Sequence, residues 1–176
     1  MRTLILFITG LITAIAAAAQ TPMVGNGAQP SQHLEVHLIS EKLIYKRGDE
    51  ITLKASVKNA SDQDIFIYGN LEWGHLASLT LSLKDAKGRS IQPKFISDAI
   101  TYVPDDKSYF VRLSPFHFLG TSYIASTEEL NIRTPGRYSI FIEYRSPISS
   151  SKAEVSPFYG KEKGVIQSNT VFIEVR

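Results

Sequence analysis

The chain contains no cysteine, one tryptophan and four histidines among its 176 residues. The absence of cysteine excludes disulfide bonds, thiolate metal sites, a cysteine nucleophile and a lipid-modified N-terminal cysteine. An excess of charge of one sign is also lacking, because 19 basic side chains nearly balance 17 acidic ones. We therefore expect neither nucleic acid nor an anionic membrane as the main partner.

Long apolar runs are missing except near the N-terminus, where residues 4–15 follow Arg2 and lead to Ala17-Ala18-Ala19. This pattern predicts a secretory signal peptide over residues 1–19, cleaved before Gln20. The alternative is an uncleaved anchor, although the run is short for a membrane span of ~20 residues. We expect an exported protein, periplasmic or secreted, with no stable membrane insertion after cleavage. An exported chain without cysteine is more typical of bacteria than of eukaryotes.

Helical periodicity of convincing length is also absent, and short alternating segments take its place. Residues 20–32 are rich in Gly, Pro, Gln and Asn and predict a flexible leader. Apolar residues then recur at every second position, most clearly in residues 34–38, 51–57, 79–83 and 171–175. Short strands bounded by turn residues predict one all-β domain over residues 33–176, a two-sheet antiparallel sandwich. Segments 93–115 and 146–164 break the alternation and predict enlarged loops.

The stretch around Tyr138 gives this sandwich a more specific form. Pro135-Gly136 is a strong turn signal, and Tyr138 opens an alternating strand directly after it. This arrangement resembles the tyrosine corner of immunoglobulin-like sandwiches, in which the phenol bonds back to the preceding corner. The resemblance implies that Tyr138 opens the sixth strand, called F. Antibody domains have a cysteine two residues later, where this chain has Ile140, so apolar packing must replace the disulfide.

Other segments extend this resemblance over residues 33–176. Residues 50–58 and the aromatic-rich residues 64–68 look like strands B and C of an immunoglobulin-like domain. The layout is similar to that of exported immunoglobulin-like domains of bacterial proteins. The Asn59-Ala60-Ser61 segment is also loosely similar to bacterial proteinase-inhibitor sandwiches, although no reactive-loop motif matches. The resemblance concerns the fold and does not imply an activity.

Three short motifs have both a functional and a structural interpretation. His33, Glu35 and His37 share one face of the first strand and could ligate a metal, or they form a solvated outer face. Arg47-Gly48-Asp49 spells an integrin-recognition tripeptide, but a tight turn needs the same residue types. Asn59-Ala60-Ser61 is a formal glycosylation sequon or ordinary turn chemistry. We predict no metal site and no cofactor.

Catalytic motifs find little support. There is no Gly-x-Ser-x-Gly elbow, and the serines at 149–151 show no spacing that pairs them with His75 or His117. A phosphate-binding loop needs a helix behind it, and no helix is predicted. We therefore predict that the protein is not an enzyme.

Aromatic residues in predicted loops are the better signal for a binding surface. Tyr68, Trp73 and His75 surround one loop, Tyr102, Tyr109 and Phe110 lie in the 93–115 segment, and Phe158 and Tyr159 lie in the late loop. Such residues contact a protein or a glycan, or they close the ends of the sandwich. The first hypothesis is a non-catalytic binding module that uses these loops. The second is a proteinase inhibitor that uses segment 93–115 or 146–164, and a hydrolase comes last.

Overall fold

The computed structural model describes residues 33–75, 77–94 and 106–176. The predicted signal peptide and leader lie outside the described residues, as does Tyr102. The strands are β1 (Leu34–Ser40), β2 (Ile44–Tyr45), β3 (Glu50–Asn59), β4 (Ile65–Tyr68), β5 (Leu79–Lys84), β6 (Ser90–Ile91), β7 (Phe110–Leu113), β8 (Phe118–Ser126), β9 (Gly136–Tyr144), β10 (Ile166–Gln167) and β11 (Val171–Val175). A one-turn helix, α1 (Ser150–Ala153), and 3₁₀ turns at Lys107–Tyr109 and Lys161–Lys163 complete the described elements.

The strands form two main sheets, in the orders β1-β3-β8 and β2-β11-β9-β5-β6, with β10 pairing the end of β9. In immunoglobulin lettering the first sheet is A-B-E and the second is A′-G-F-C-C′. The A′ strand runs parallel to G, since β2 pairs with β11 in parallel while the other pairs of these two sheets are antiparallel. The predicted immunoglobulin-like β-sandwich is confirmed.

The assignment of residues 64–68 to strand C was wrong. β4 pairs with β7 in a separate two-stranded ladder, and β5 lies beside β9, where strand C belongs. The physical reason is that the antiparallel pair of β3 and β8 bends and continues. β4 follows β3 and β7 precedes β8 in the chain, and these two strands stay paired beyond the bend.

The main hydrophobic core lies between the two main sheets. On β3, Ile51, Leu53, Ala55 and Val57 are buried, and they alternate with more accessible polar residues. The inward residues of β9, Tyr138, Ile140, Ile142 and Tyr144, are buried opposite them. Ile140 occupies the cysteine position of antibody domains and is fully buried between Leu83 and Val171 in the register. Burial of such a side chain stabilises a fold by roughly 1.5–3 kcal/mol, so apolar packing takes the place of the missing disulfide.

Tyr138 makes the backward bond that the resemblance implies. Its buried hydroxyl donates a hydrogen bond to the carbonyl oxygen of Thr134, four residues earlier. Gly136 has a φ of 152°, which a residue with a side chain adopts only with strain. The Pro135-Gly136 turn and Tyr138 therefore fix the entry into β9. No helix in the described part of the chain is long and apolar enough to span a bilayer.

Candidate binding surface

A bend in one long pair of strands builds the most exposed aromatic feature of the described chain. β3 and β8 pair from Glu50↔Ser126 to Lys58↔Phe118. After the bend the same two chain segments pair again as β4 and β7, from Ile65↔Leu113 to Tyr68↔Phe110. Residues 60–64 and 114–117 form the bend, which we call the corner.

Asn59 holds the corner together with its fully buried side chain. Its Nδ2 donates to the carbonyl oxygens of Gln63 at 2.7 Å and Leu113 at 3.0 Å. Its Oδ1 accepts from the Ser61 backbone N–H at 3.0 Å and from the Ser61 hydroxyl at 2.6 Å. All four hydrogen-bonding positions of the amide are thus used. A side chain so placed is not accessible for glycosylation, which favours the turn interpretation of Asn59-Ala60-Ser61.

Phe116 is the residue that the corner presents to solvent. Its backbone N–H donates to the Asn59 carbonyl oxygen at 2.9 Å, and its φ is 64°, in the left-handed region. This conformation costs a non-glycine residue roughly 1–2 kcal/mol. Phe116 is nevertheless 67% exposed, and Phe118 two residues later is 68% exposed. Two phenylalanines therefore project from one corner without core packing to account for them.

A groove of about 400 Å³ runs from Phe118 across the outer face of the β1-β3-β8 sheet. Small residues of β8, Gly120 and Ser122, leave it open, and Ile39 of β1 forms its far side. Its remaining lining residues are Lys54, Ala55, Ser56, Lys58 and Thr121. Ile124, on the same strand, is also 59% exposed. We call this groove with Phe116, Phe118 and Ile124 the outer-face surface.

The lysines at this surface are paired with carboxylates. Lys54 contacts Glu41 at 2.8 Å, and Lys58 contacts Glu35 at 3.5 Å. The Lys54 hydrogen bond lowers the pKa of Glu41, and the His37 hydrogen bond lowers the pKa of Glu35, with Lys58 adding to this shift. Both carboxylates thus remain ionised at neutral pH, and within each pair the carboxylate balances the positive charge of the lysine.

The side chains of His33, Glu35 and His37 contact one another on the exposed face of β1. His37 Nε2 lies 3.3 Å from one oxygen of the Glu35 carboxylate, and His33 Nε2 lies 3.9 Å from the other. Across the three described ranges, no group of three potential ligand side chains is arranged to hold a metal ion. The solvated-face interpretation of the first strand fits this geometry.

Three of the predicted binding aromatics, Tyr68, Tyr109 and Phe158, lie elsewhere, in a second small core, and Tyr159 belongs to the main core. Tyr68, Phe158 and Tyr159 are buried, and Tyr109 is half-buried. The ring centroids of Tyr68 and Tyr109 are 5.7 Å apart, and those of Phe110 and Phe158 are 5.0 Å apart. These rings pack beside the sandwich and present little surface to a partner, which is a correction to their predicted role as binding residues. The interpretation that they cover an open end describes them better.

Trp73 and His75 are separate from that cluster. The half-buried Trp73 ring stacks on Tyr123 of β8, with centroids 5.2 Å apart, and packs against the main core. His75 is half-buried, and its ring contacts the Gln92 side chain. The fully buried Tyr144 spans the two cores, because its hydroxyl donates to the Tyr68 carbonyl oxygen at 3.0 Å. Burial raises the pKa of Tyr144 strongly. The six predicted residues that the structure describes therefore do not converge on one surface.

The Arg47-Gly48-Asp49 tripeptide is held as a turn. Gly48 has a φ of 87°, and its N–H donates to the Thr127 hydroxyl at 2.8 Å. The Asp49 carboxylate accepts from the Lys46 N–H at 2.8 Å. The turn interpretation accounts for both the glycine and the aspartate.

Segment 146–164 is packed and does not form an extended reactive loop. Ile148, Ala153, Phe158 and Tyr159 are buried in it. The Ser150 hydroxyl lies within hydrogen-bond distance of the Glu162 carboxylate and of the Phe158 carbonyl oxygen, and the hydroxyls of Ser149 and Ser151 contact each other. The hydrogen bonds of the two candidate histidines go elsewhere, His75 to Gln92 and His117 to the Pro115 carbonyl. Neither a serine–histidine pair nor an exposed inhibitory loop is found in this described segment.

Phe116 and Phe118 were missed as candidate binding residues. Both faces of β8 are partly apolar, because Phe118 and Ile124 face outward while Leu119 and Tyr123 face inward. No clean alternation therefore marks which side is solvated. The available signal was Pro115-Phe116-His117-Phe118, which places two aromatic residues directly after a turn.

Comparison with known proteins adds no assignment. No protein-family model matches the chain, and no curated protein matches it. A CARDB domain from Pyrococcus furiosus, solved in complex with di-metal ions, is 11% identical, with 81% of this chain and 92% of that domain aligned at a TM-score of 0.40. AvmM, which catalyses macrocyclization in alchivemycin A biosynthesis, is 10% identical, with 82% of this chain and 89% of AvmM aligned at a TM-score of 0.40.

A β-glucosidase from Listeria innocua is 13% identical, and 81% of this chain aligns with it at a TM-score of 0.37. The aligned part is only 16% of that enzyme. These low TM-scores do not support transferring any activity, ligand or partner from these proteins to this chain.

Proposed function

We propose that this protein is an exported, non-catalytic binding domain that contacts a partner protein through the outer-face surface. The single observation that carries the proposal is the Phe116 ring, which is held outward on a left-handed backbone at 67% exposure. Backbone strain of this kind is retained where the surrounding structure enforces it, and it is frequent at ligand-binding sites. Here the Asn59 carbonyl oxygen accepts from the Phe116 N–H, and the Asn59 amide donates to carbonyl oxygens on both sides of the corner, those of Gln63 and Leu113.

The composition of the surface favours a protein partner over a glycan. Exposed aromatic and aliphatic side chains beside a groove are typical anchors of protein interfaces. The exposed anchors here are Phe116, Phe118, Ile124 and Ile39, which offer no hydrogen-bonding group to a sugar hydroxyl. The lysines of the groove are already paired with carboxylates. An apolar segment of another protein therefore fits this surface best.

Export rests on the signal pattern of residues 1–19. A non-catalytic role rests on the serines and histidines of the described chain, whose side chains hydrogen-bond groups that serve the fold. The inhibitor hypothesis gains no support from segment 146–164, because that segment is folded onto the sandwich.

The test is a Phe116→Gly variant, which removes the ring and relieves the left-handed backbone together. Relief of roughly 1–2 kcal/mol is offset by the backbone entropy of glycine, about 0.5–1 kcal/mol. The free energy of unfolding of the variant should lie within about 1 kcal/mol of the wild-type value, so a loss of binding cannot be attributed to misfolding. Phe172→Ala is the matched control, because Phe172 is an exposed phenylalanine on β11 of the other sheet.

Full-length wild type, Phe116→Gly and Phe172→Ala are immobilised and exposed to the same envelope extract, and retained proteins are quantified by mass spectrometry. We expect wild type and Phe172→Ala to retain one protein at least about 30-fold better than Phe116→Gly does. A loss of this size is typical when an interface hot-spot residue is removed. A glycan array is probed in parallel. Equal retention by all three chains, or binding to glycans alone, would refute the proposal.

A further inference from the structure

A depression of about 410 Å³ lies on the outer face of the second sheet, where β9 runs between β5 and β11. Its lining includes Asp85, Ala86 and Gly88 of the turn after β5, Arg137 and Ser139 of β9, and Phe172 of β11. We call it the Arg137 depression. Its volume lies within the range of small-molecule sites, roughly 300–1,000 Å³.

Arg137 is the cation at the centre of this depression. Its exposed side chain lies over the Phe172 ring, with the guanidinium carbon 4.4 Å from the ring centroid. An arginine packed against an aromatic ring loses less conformational freedom when its N–H groups bind a ligand. The contact with Phe172 therefore prepares the guanidinium for binding, since a ring satisfies none of its five donors as a carboxylate would.

The carboxylate closest to Arg137 in the register is engaged elsewhere. Glu174 lies directly opposite Arg137 in the β9–β11 pair, a position where opposite charges normally attract each other. The Glu174 carboxylate instead accepts from Arg176 Nε at 2.7 Å. Among the residues that the structure describes, none forms an ion pair or a side-chain hydrogen bond with Arg137. Its charge and its donors are thus uncompensated.

Asp85, the acidic residue of the depression, does not supply the missing partner. Its carboxylate accepts from Arg89 Nε at 2.7 Å and from the backbone N–H groups of Lys87 and Arg89, both at 2.9 Å. Asp85 and Arg89 therefore balance each other's charge. Lys87 lines an adjoining depression of about 250 Å³ that shares Arg137. With Asp85 neutralised by Arg89, Arg137 and Lys87 make this part of the surface positive.

We propose that the Arg137 depression binds the oxyanion of a small molecule, a carboxylate or a phosphate group, with Arg137 as its main contact. The planar fork of a guanidinium matches both groups and binds them through two parallel hydrogen bonds. Ser139 lies two residues along the same face of β9 and adds a hydroxyl donor. The site lies on the other sheet from the outer-face surface, so it does not depend on the proposed partner-binding function.

NMR titration of the full chain tests the proposal with sodium phosphate and sodium benzoate as probes. Both should shift the backbone amide signals of residues 85–89 and 136–139 in a saturable way. Arg137→Gln removes the guanidinium and should weaken binding at least about ten-fold, the loss expected for hydrogen bonds to a charged group. Arg112→Gln is the matched control, because it removes the same charge from β7, where Arg112 pairs with Asp64, and it should bind as wild type does.

Further arms of the titration separate an oxyanion site from other causes of the shifts. Potassium chloride at matched ionic strength and benzyl alcohol, a neutral analogue of benzoate, should leave these signals unchanged. A response to only one of the two probes would assign the site to that oxyanion. No saturable shift with either probe, equal affinities of wild type and Arg137→Gln, or the same shifts with chloride or benzyl alcohol would overturn the proposal. Arg137→Gln should retain the partner protein as wild type does, so failures of the two proposals are distinguishable.

Discussion

Replacement of Asn59 tests whether one side chain maintains the corner that presents Phe116. Asn59→Ala removes four hydrogen bonds at once, two donated to Gln63 and Leu113 and two accepted from Ser61. The Leu113 carbonyl oxygen is buried at this contact and would lose its amide partner. The Gln63 carbonyl lies at the exposed bend, where water can replace the amide.

The size of the effect follows from these contacts. A net contribution of about 1 kcal/mol per hydrogen bond gives an upper value near 4 kcal/mol. Water at Gln63 and Ser61 reduces this loss, and the buried Leu113 carbonyl adds to it, so we expect the free energy of unfolding to fall by about 3 kcal/mol. Asn59→Asp should be worse than Asn59→Ala, because a carboxylate can donate to neither carbonyl and would face both.

Urea unfolding followed by circular dichroism measures this loss. Asn70→Ala is the matched control, because its Nδ2 makes one exposed hydrogen bond at 3.0 Å, to Glu72, and its effect should be below about 0.5 kcal/mol. If the free energy of unfolding of Asn59→Ala lies within about 0.5 kcal/mol of the wild-type value, the amide does not hold the corner. The explanation of the left-handed Phe116 backbone would then fail with it.

Two further predictions concern the other end of the sandwich. Tyr138→Phe removes the hydroxyl bond to Thr134 and should lower the free energy of unfolding by about 1 kcal/mol; an unchanged melting temperature would contradict this. The Arg89 backbone N–H, with the Arg89 side chain and the Lys87 N–H, holds the pKa of Asp85 below 3.8. Because the folded pKa is lowered, this stabilisation is present above that pH and is lost as the pH falls through the folded pKa. Asp85→Asn should therefore flatten the acid limb of the stability curve, and NMR titration of Asp85 at a pKa of 3.8 or above would contradict it.

The sandwich itself could be predicted from sequence because its central strands are two-faced. β3 alternates buried apolar with accessible polar residues along its length, and β9 follows a turn that only a few residue types can form. These signals are local, so they need no knowledge of distant partners. The hydroxyl bond of Tyr138 spans four residues and is local as well.

Strand C was misassigned because pairing partners are non-local. β4 has the aromatic and β-branched composition of a central strand, yet its neighbour β7 lies more than 40 residues away in the chain. Nothing within residues 64–68 indicates whether the chain crosses to the other sheet or bends with its existing partner. The Asn59 side chain donates a hydrogen bond to the Leu113 carbonyl oxygen of β7, a contact that sequence alone does not reveal.

The exposed aromatic residues could not be identified from sequence for a related reason. The interpretation that the loop aromatics contact a partner needs them exposed, but Tyr68 and Phe158 are buried in a second small core and Tyr159 is buried in the main core. Phe116 has the same composition signal as these residues and the opposite environment. What distinguishes it is a left-handed backbone, which no apolar pattern encodes.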